Sequence, residues 1–359
     1  MTTGAVVLGR MLPAVASLLE AVVERAMAPD TQPTLYDLEA LTHAVLPRIG
    51  QVVLQELGQA RDTPDDIVFD HLQAAIFKDQ PLGWSILGDE KTVSSFDRAM
   101  LKDYMASQYR LESMTLIASG AVEHSEILRL AEEKCGGLNP GQVAAASPAH
   151  YVGGEFREIE DLEQAHVAYA FPGLSNADPD YFVAQIYATA LGGGTSSRLF
   201  QEAREKRGLC YSIYAFSNGF QDSGFLGVYV GTGEAEAAGI SAVIAGEMEA
   251  MSVNLTEAEV ARARAQLKVS LLMGMERPSN RSEQIAGQLF ALGRVQSAAE
   301  IVAQLDAIDA ATVRLFAARV MEAGRPTMAS VGPVRKLESL TAFAGRFGNK
   351  AGAVPDAAE

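Results

Sequence analysis

Two stretches of this chain resemble one another, and a chain that repeats itself must fold as repeats. MTLIASGAVEHSEILRLAEEKCG (114–136) and PTMASVGPVRKLESLTAFAGRFG (326–348) each read as a short apolar strand, a glycine, a polar turn and an amphipathic helix. Gly120 aligns with Gly332 at an offset of 212 residues, and the helical stretches upstream align Pro64 with Pro278 at 214. Two anchors that agree within two residues predict a duplicated domain.

The second copy reads as complete from about Gly153 to Gly348, and the linker at 136–154, rich in Gly and Pro, marks the boundary. Strands are predicted near 154–160, 164–171, 211–218 and 224–230, with helices at about 178–191 and 196–206 between them. Helices follow near 234–251, 256–275, 279–292, 297–306 and 310–320, then a last strand at 326–332. Strands early and helices late, without strict alternation, predict an α+β fold: two homologous domains, each a mostly antiparallel sheet with helices on one face. The first copy is expected to be incomplete, because residues 1–47 show none of the alternation of HVAYAF (166–171) or FLGVYV (225–230). The expected organisation is therefore an incomplete first domain at 1–147, divergent over 1–47, a complete second domain at 148–348, and a disordered tail at 349–359.

Composition narrows the function. A net charge of −16 and a pI near 4.8 argue against sequence-independent nucleic-acid binding, which needs Lys and Arg on phosphates. Cys135 and Cys210 stand far apart with no Cys-x-x-Cys spacing, so neither a disulfide framework nor a zinc ribbon is indicated, and a reducing cytoplasm is the expected compartment. The apolar start is interrupted by Arg10, Glu20, Glu24 and Arg25, and Leu12, Val15, Ala16, Leu19, Val22, Val23 and Ala26 recur at helical spacing. An amphipathic helix is expected there rather than a signal or membrane span.

LGGGTSSRLFQEAREKRGLCYS (191–212) is the densest run of candidate chemistry. Gly192, Gly193 and Gly194 follow a helical pattern rather than a strand, and no Gly-Lys-Ser/Thr comes after them, which speaks against a phosphate loop. A simple turn and a loop that lets an extended peptide approach both remain open. Arg204 and Tyr211 lie seven apart at a helix end and a strand start, where a guanidinium and a phenol can together hold and polarise a peptide carbonyl. The bland alternative pairs Arg204 with Glu202 or Glu205 at the surface and packs Tyr211 in the core. Glu56 falls within the helical stripe Val45, Ile49, Val52, Val53 and Ala60, a carboxylate on a face meant for burial. By itself that suggests a helix-face ion pair before a metal ligand. The five histidines are scattered, with no His-x-x-Glu-His and no pair one turn apart as zinc favours.

Taken together, LGGGTSSRLFQEAREKRGLCYS, FPGLSNADPDYFVAQIYATA and RAQLKVSLLMGMERPSNRSEQIAGQL closely resemble the second domain of the mitochondrial processing peptidase and pitrilysin family, in its short bacterial members. VVLQELGQARDTPDDIVFDHLQAAIFKDQPLGWSILG resembles the later part of the family's first domain. The resemblance covers about Ile49 to Leu337. It implies a zinc metallopeptidase architecture in which two homologous α+β domains enclose an unfolded peptide, and in which metal-activated water attacks the peptide carbonyl. It assigns Glu56 to the third zinc ligand, Arg204 and Tyr211 to the pair reaching substrate and oxyanion, and Gly192 to Gly194 to a region near the substrate chamber. The His-x-x-Glu-His motif that supplies the other ligands and the base is missing, and Ile49-Gly50 stands where the family has Glu-Arg. The resemblance thus implies an N-terminally truncated member that does not hold zinc tightly or cleave peptides alone. The alternative it implies is a non-catalytic peptide-binding or scaffold subunit, working as a homodimer or beside an active sibling, without nucleic acid or membrane.

Overall fold

The computed structural model describes residues 50–348. The helix expected over Leu12–Ala26 and the tail at 349–359 lie outside the described residues. Contacts divide the chain into two compact units, one of Met1–Asp62 with Ser85–Ser147 and one of Thr63–Trp84 with Pro148–Glu359. Helix α1 (Pro64–Ile76), read from sequence with the first domain, therefore groups with the second unit.

In the first unit residues 50–61 are helical, followed after residue 85 by α2 (Glu90–Ser95), α3 (Arg98–Gln108) and α4 (His124–Cys135). Asp89 and Asp97 start α2 and α3 by accepting the backbone N–H three residues on, as short acidic side chains do at helix N-termini. The described residues of this unit hold no strand, only an isolated bridge between Arg110 and Asn139, so the short strand read in MTLIASG does not form and no sheet is seen in this unit's described residues.

The second unit is built on a five-stranded sheet of β1 (Glu155–Ile159), β2 (Ala165–Pro172), β3 (Ser212–Gly219), β4 (Gly224–Thr232) and β5 (Thr327–Gly332). Its order is β1-β5-β2-β4-β3; β1 and β5 run parallel and every other pair is antiparallel. Between and after the strands come α5 (Tyr181–Gly192), α6 (Ala237–Asn254), α7 (Glu257–Met275), α8 (Pro278–Leu292), α9 (Ala298–Asp306), α10 (Ala310–Ala323) and α11 (Leu340–Ala344). This is the α+β architecture that the pattern of elements predicted, and the strands and helices lie close to their predicted bounds.

Period-two alternation divides the sheet between two cores. Val167, Tyr169, Leu226, Val228 and Val230 face α5, α6 and α10 in the larger core, where the Tyr169 hydroxyl meets Ser241 Oγ at 2.8 Å. Ala168, Ala170, Ala329 and Val331 face the other way, and α1 lies on them through Val68, Leu72 and Ile76, all fully buried. Small side chains on this face let the helix approach closely. Burying three such aliphatic side chains stabilises the unit by roughly 1.5–3 kcal/mol each. Helices on both faces, not on the one face expected, bury β4 at every position, so the alternation read in FLGVYV marks no solvent-facing side.

The repeat is also visible in local geometry. Asp97 and Asp309 cap α3 and α10 in the same way at the 212-residue offset. Gly120 and Gly332 both adopt positive φ, 130° and 110°, and each carbonyl accepts the N–H two residues on, from Val122 and Val334. Side chains with a Cβ rarely adopt that conformation, so the glycine at both turns has a steric cause.

Candidate functional site

The predicted helix at 196–206 becomes a π-helix over Phe200–Lys206. Such turns are uncommon and occur frequently at functional sites. Gly208, at φ 63°, turns the chain back so that the Leu209 N–H donates to the Ala203 carbonyl at 2.8 Å, while the Thr232 hydroxyl donates to the Leu209 carbonyl at 2.5 Å. The Tyr211 N–H then donates to the Gly231 carbonyl at 2.8 Å, although the register partner of Gly231 is Ser212. Two consecutive residues thus address one residue of β4, the arrangement of a β-bulge, which bends the strand entrance and redirects its side chains.

Both candidate side chains, on either side of the Gly208 turn, are exposed. Tyr211 is 63% exposed, and Arg204 is exposed with its guanidinium 4.7 Å above the Phe200 ring. The alternative of a surface Arg204–Glu202 pair with a core Tyr211 does not describe them. Glu202 is engaged by Lys206 and Arg207, and among the described residues Arg204 makes no ion pair. Burial pushes the Cys210 thiol up to about 11, against the pull of the nearby Arg204 charge, so Cys210 is a protonated packing residue.

The three glycines separate into different roles. A Cβ on Gly192 would lie 2.3 Å from the Ala215 nitrogen, so its bare backbone is what lets α5 close on β3. Gly193 caps α5 through its N–H to the Thr189 carbonyl and accepts from Gln266 Nε2 at 2.6 Å. Gly194 alone lines a cavity of about 260 Å³, together with Thr189, Thr195, Ser196, Glu259, Arg262 and Gln266.

That cavity is braced by residues the sequence reading did not single out. Arg198 reaches Glu259 with Nε–Oε1 at 2.6 Å and Nη2–Oε2 at 3.0 Å, and Glu259 also closes a capping box with Thr256 at the start of α7. Partial burial by itself would raise the Glu259 carboxyl, but hydrogen bonds from Arg198 and Thr256 hold it down at about 2. The only sequence sign was Thr256-x-x-Glu259, a capping-box spacing; nothing in the sequence pairs Arg198 with Glu259.

Glu56 lies on the helical residues 50–61, next to buried Leu57. Its Oε2 is shielded from solvent with no hydrogen-bond partner among the described residues, and desolvation raises its carboxyl above the ordinary range. Among the described residues no three His, Cys, Asp or Glu side chains converge, and one carboxylate does not fit a zinc ion, which takes three protein ligands even in open sites. His166 and His71 are committed to packing: His166 Nδ1 lies 2.8 Å from the Tyr229 hydroxyl, and His71 stacks on Phe156 at 3.7 Å. Among the described residues no helix is long and apolar enough to cross a membrane.

Comparisons with known proteins converge on one family. Residues 95–267 match the family model described as the peptidase M16 inactive domain. The chain is 35% identical over 284 residues to an uncharacterized zinc protease of Rickettsia bellii, an alignment covering 79% of this chain and 69% of that protein. It is 33% identical over 311 residues to a probable mitochondrial-processing peptidase subunit beta of Arabidopsis thaliana, covering 82% of this chain but 58% of that one. In fold it matches a chain of complex III from Candida albicans with a TM-score of 0.78 at 21% identity, covering 86% of this chain and 78% of that one. A crystal structure of a peptidase M16 inactive domain from Pseudomonas fluorescens matches at 0.69 and 20% identity, covering 82% and 72%.

Proposed function

The chain belongs to the peptidase M16 family, and from that premise we propose that it handles unfolded peptides without cleaving them by itself, lending Arg204 and Tyr211 to the active site of a zinc-bearing sibling. The observation that carries the reading is the turn between the π-helix and β3. Within the stretch that matches the family's inactive domain, a guanidinium and a phenol are exposed at a bulged, backbone-pinned junction. Donors held in place before reaction stabilise a developing oxyanion by roughly 3–4 kcal/mol each, about a hundred- to a thousand-fold in rate.

The chemistry of zinc would be to lower the pKa of its bound water and polarise the scissile carbonyl. The described residues of this chain do not assemble ligands for it, so in this reading the metal and the base come from the sibling. Glu56 would contribute at most one oxygen. This chain would hold and orient the peptide, and the two free thiols suit a cytoplasmic location.

The test pairs metal content with cleavage. Purified full-length chain is assayed for zinc and for hydrolysis of a fluorescent unfolded casein, alone and mixed with an M16 protein carrying His-x-x-Glu-His. The reading expects far less than one zinc per chain, no hydrolysis alone, and cleavage in the mixture that Tyr211→Phe reduces. Stoichiometric zinc with metal-dependent hydrolysis by the chain alone would overturn it, and Glu56→Gln would show whether that carboxylate holds the metal. Stable assembly with no peptide binding would favour a scaffold role instead.

A further inference from the structure

The loop between α5 and the π-helix has its acceptors engaged and its donors open. The Gly193 carbonyl accepts from Gln266 Nε2 at 2.6 Å, and the Thr195 carbonyl from Gln201 Nε2 at 2.7 Å. Between them the Gly194 carbonyl takes both the N–H of Ser197, at 3.0 Å, and its hydroxyl, at 2.6 Å. Among the described residues the N–H groups of Gly194, Thr195 and Ser196 make no hydrogen bond, and neither do the hydroxyls of Thr195 and Ser196. Successive backbone N–H groups in a turn, left without acceptors of their own, are donors to an anion. These three residues line the 260 Å³ cavity, opposite Glu259, Arg262 and Gln266 of α7.

The charges in the lining point the same way. Glu259 is its acidic side chain, and that carboxylate is fully committed: Oε1 accepts from Arg198 Nε, and Oε2 from Arg198 Nη2 and from the N–H and hydroxyl of Thr256. Arg198 and Glu259 cancel one another, and Glu259 has nothing left to offer a cation. Arg262, one turn further along α7, is exposed and makes no ion pair or hydrogen bond among the described residues. The cavity therefore keeps one unbalanced positive charge in a chain whose net charge is −16. Such a chain repels a multiply charged phosphate at long range, while a single guanidinium fork matches a carboxylate. A volume of about 260 Å³ lies below the roughly 300–1,000 Å³ of pockets that enclose a whole small ligand, which suits one group of a larger chain.

We propose that this cavity is a carboxylate subsite, in which Arg262 clasps the anion and the Thr195–Ser196 donors complete its shell, and that the carboxylate belongs to a peptide, as its C-terminus or as an Asp or Glu side chain. The peptide as source rests on the preceding reading. The anion site itself rests on the loop and Arg262 and shares no residue with Arg204 and Tyr211, so either can fail without the other.

Amide NMR on the full chain tests it. The Gly194, Thr195 and Ser196 resonances are followed while unstructured Gly-Ser peptides of one length are added: one with a free C-terminal carboxylate, one blocked at both ends, and one blocked at both ends with a single internal Glu. A carboxylate-bearing peptide should shift these amides saturably, the one that does so naming the source, and the uncharged peptide should not. Arg262→Gln should weaken that binding at least about tenfold, as loss of a charge-assisted contact does, with Arg262→Lys intermediate and Tm nearly unchanged in both. Shifts from the uncharged peptide as large as from the others, no shift from either carboxylate, full affinity in Arg262→Gln, or tighter binding of inorganic phosphate than of the peptides would each overturn the proposal. These readouts need neither cleavage nor a sibling. In the sibling-assisted assay Arg262→Gln should raise KM for a carboxylate-bearing peptide and leave kcat alone. Arg262-dependent shifts together with wild-type cleavage by Tyr211→Phe would count against the Arg204/Tyr211 reading only.

Discussion

Replacing Glu259 by Gln removes one charge and keeps the shape, and the structure sets what that charge is worth. Its carboxyl titrates near 2 in the folded unit against an ordinary 4.5, a difference of about two and a half pK units at about 1.4 kcal/mol each. The side chain is only 18% exposed, so solvent screening is modest, and the charge contributes about 3 kcal/mol at neutral pH. The sign follows from the direction of the shift. A depressed carboxyl stabilises the fold fully above its unfolded pKa, and the contribution fades as pH falls from about 4.5 towards 2. Gln can still accept from Thr256, so the helix cap survives, and what is lost is the two-pronged Arg198 contact. Urea unfolding followed by near-ultraviolet circular dichroism should show Glu259→Gln less stable by about 3 kcal/mol at pH 7 and by under about 1.5 kcal/mol at pH 3. A deficit equal at both pH values, or below about 0.5 kcal/mol at pH 7, would refute the assignment of that stability to the Arg198–Glu259 pair.

Other substitutions separate packing from function. Gly192→Ala forces a methyl to within 2.3 Å of the Ala215 backbone and should cost at least about 1–3 kcal/mol in an equilibrium melt; a neutral result would mean α5 does not close on β3 as described. Leu72→Ala should cost the second unit about 2–5 kcal/mol because its side chain is fully buried among Ala168, Ala170 and Ala329, and an unchanged melt would show α1 undocked in solution. Tyr211→Phe and Arg204→Ala, both at exposed positions, should leave Tm nearly unchanged while each lowers sibling-assisted cleavage about a hundred-fold or more, read as kcat at saturating peptide. A parallel fall in Tm and cleavage would reduce the pair to a structural role.

The legible parts of this protein were those with a local cause. Helix α7 was predicted over 256–275 and spans Glu257–Met275, because Thr256 and Glu259 form a cap within one turn. Strand β1 was predicted at 154–160 and spans Glu155–Ile159 between two glycines with positive φ and the loop after it. The π-helix at Phe200–Lys206 was read as ordinary helix, since seven residues are too few for its wider i→i+5 turn to show in the apolar pattern. Among the candidate site residues, Gly192 and Gly194 are two apart and indistinguishable in sequence, yet one is pressed against β3 and the other faces a cavity.

Periodicity, caps and turn glycines are short-range interactions, so the amino-acid order alone settled most element types of the second unit and the family to which the chain belongs. Which surface a buried stripe meets is a long-range matter. An amphipathic pattern states that Val68, Leu72 and Ile76 leave water, but every apolar face satisfies that demand equally, and only the tertiary structure selected the Ala168–Ala329 face of the second unit's sheet for them. The same reason hid the Arg198–Glu259 clasp and the exposure of Tyr211: both depend on where residues sixty and twenty positions away come to rest.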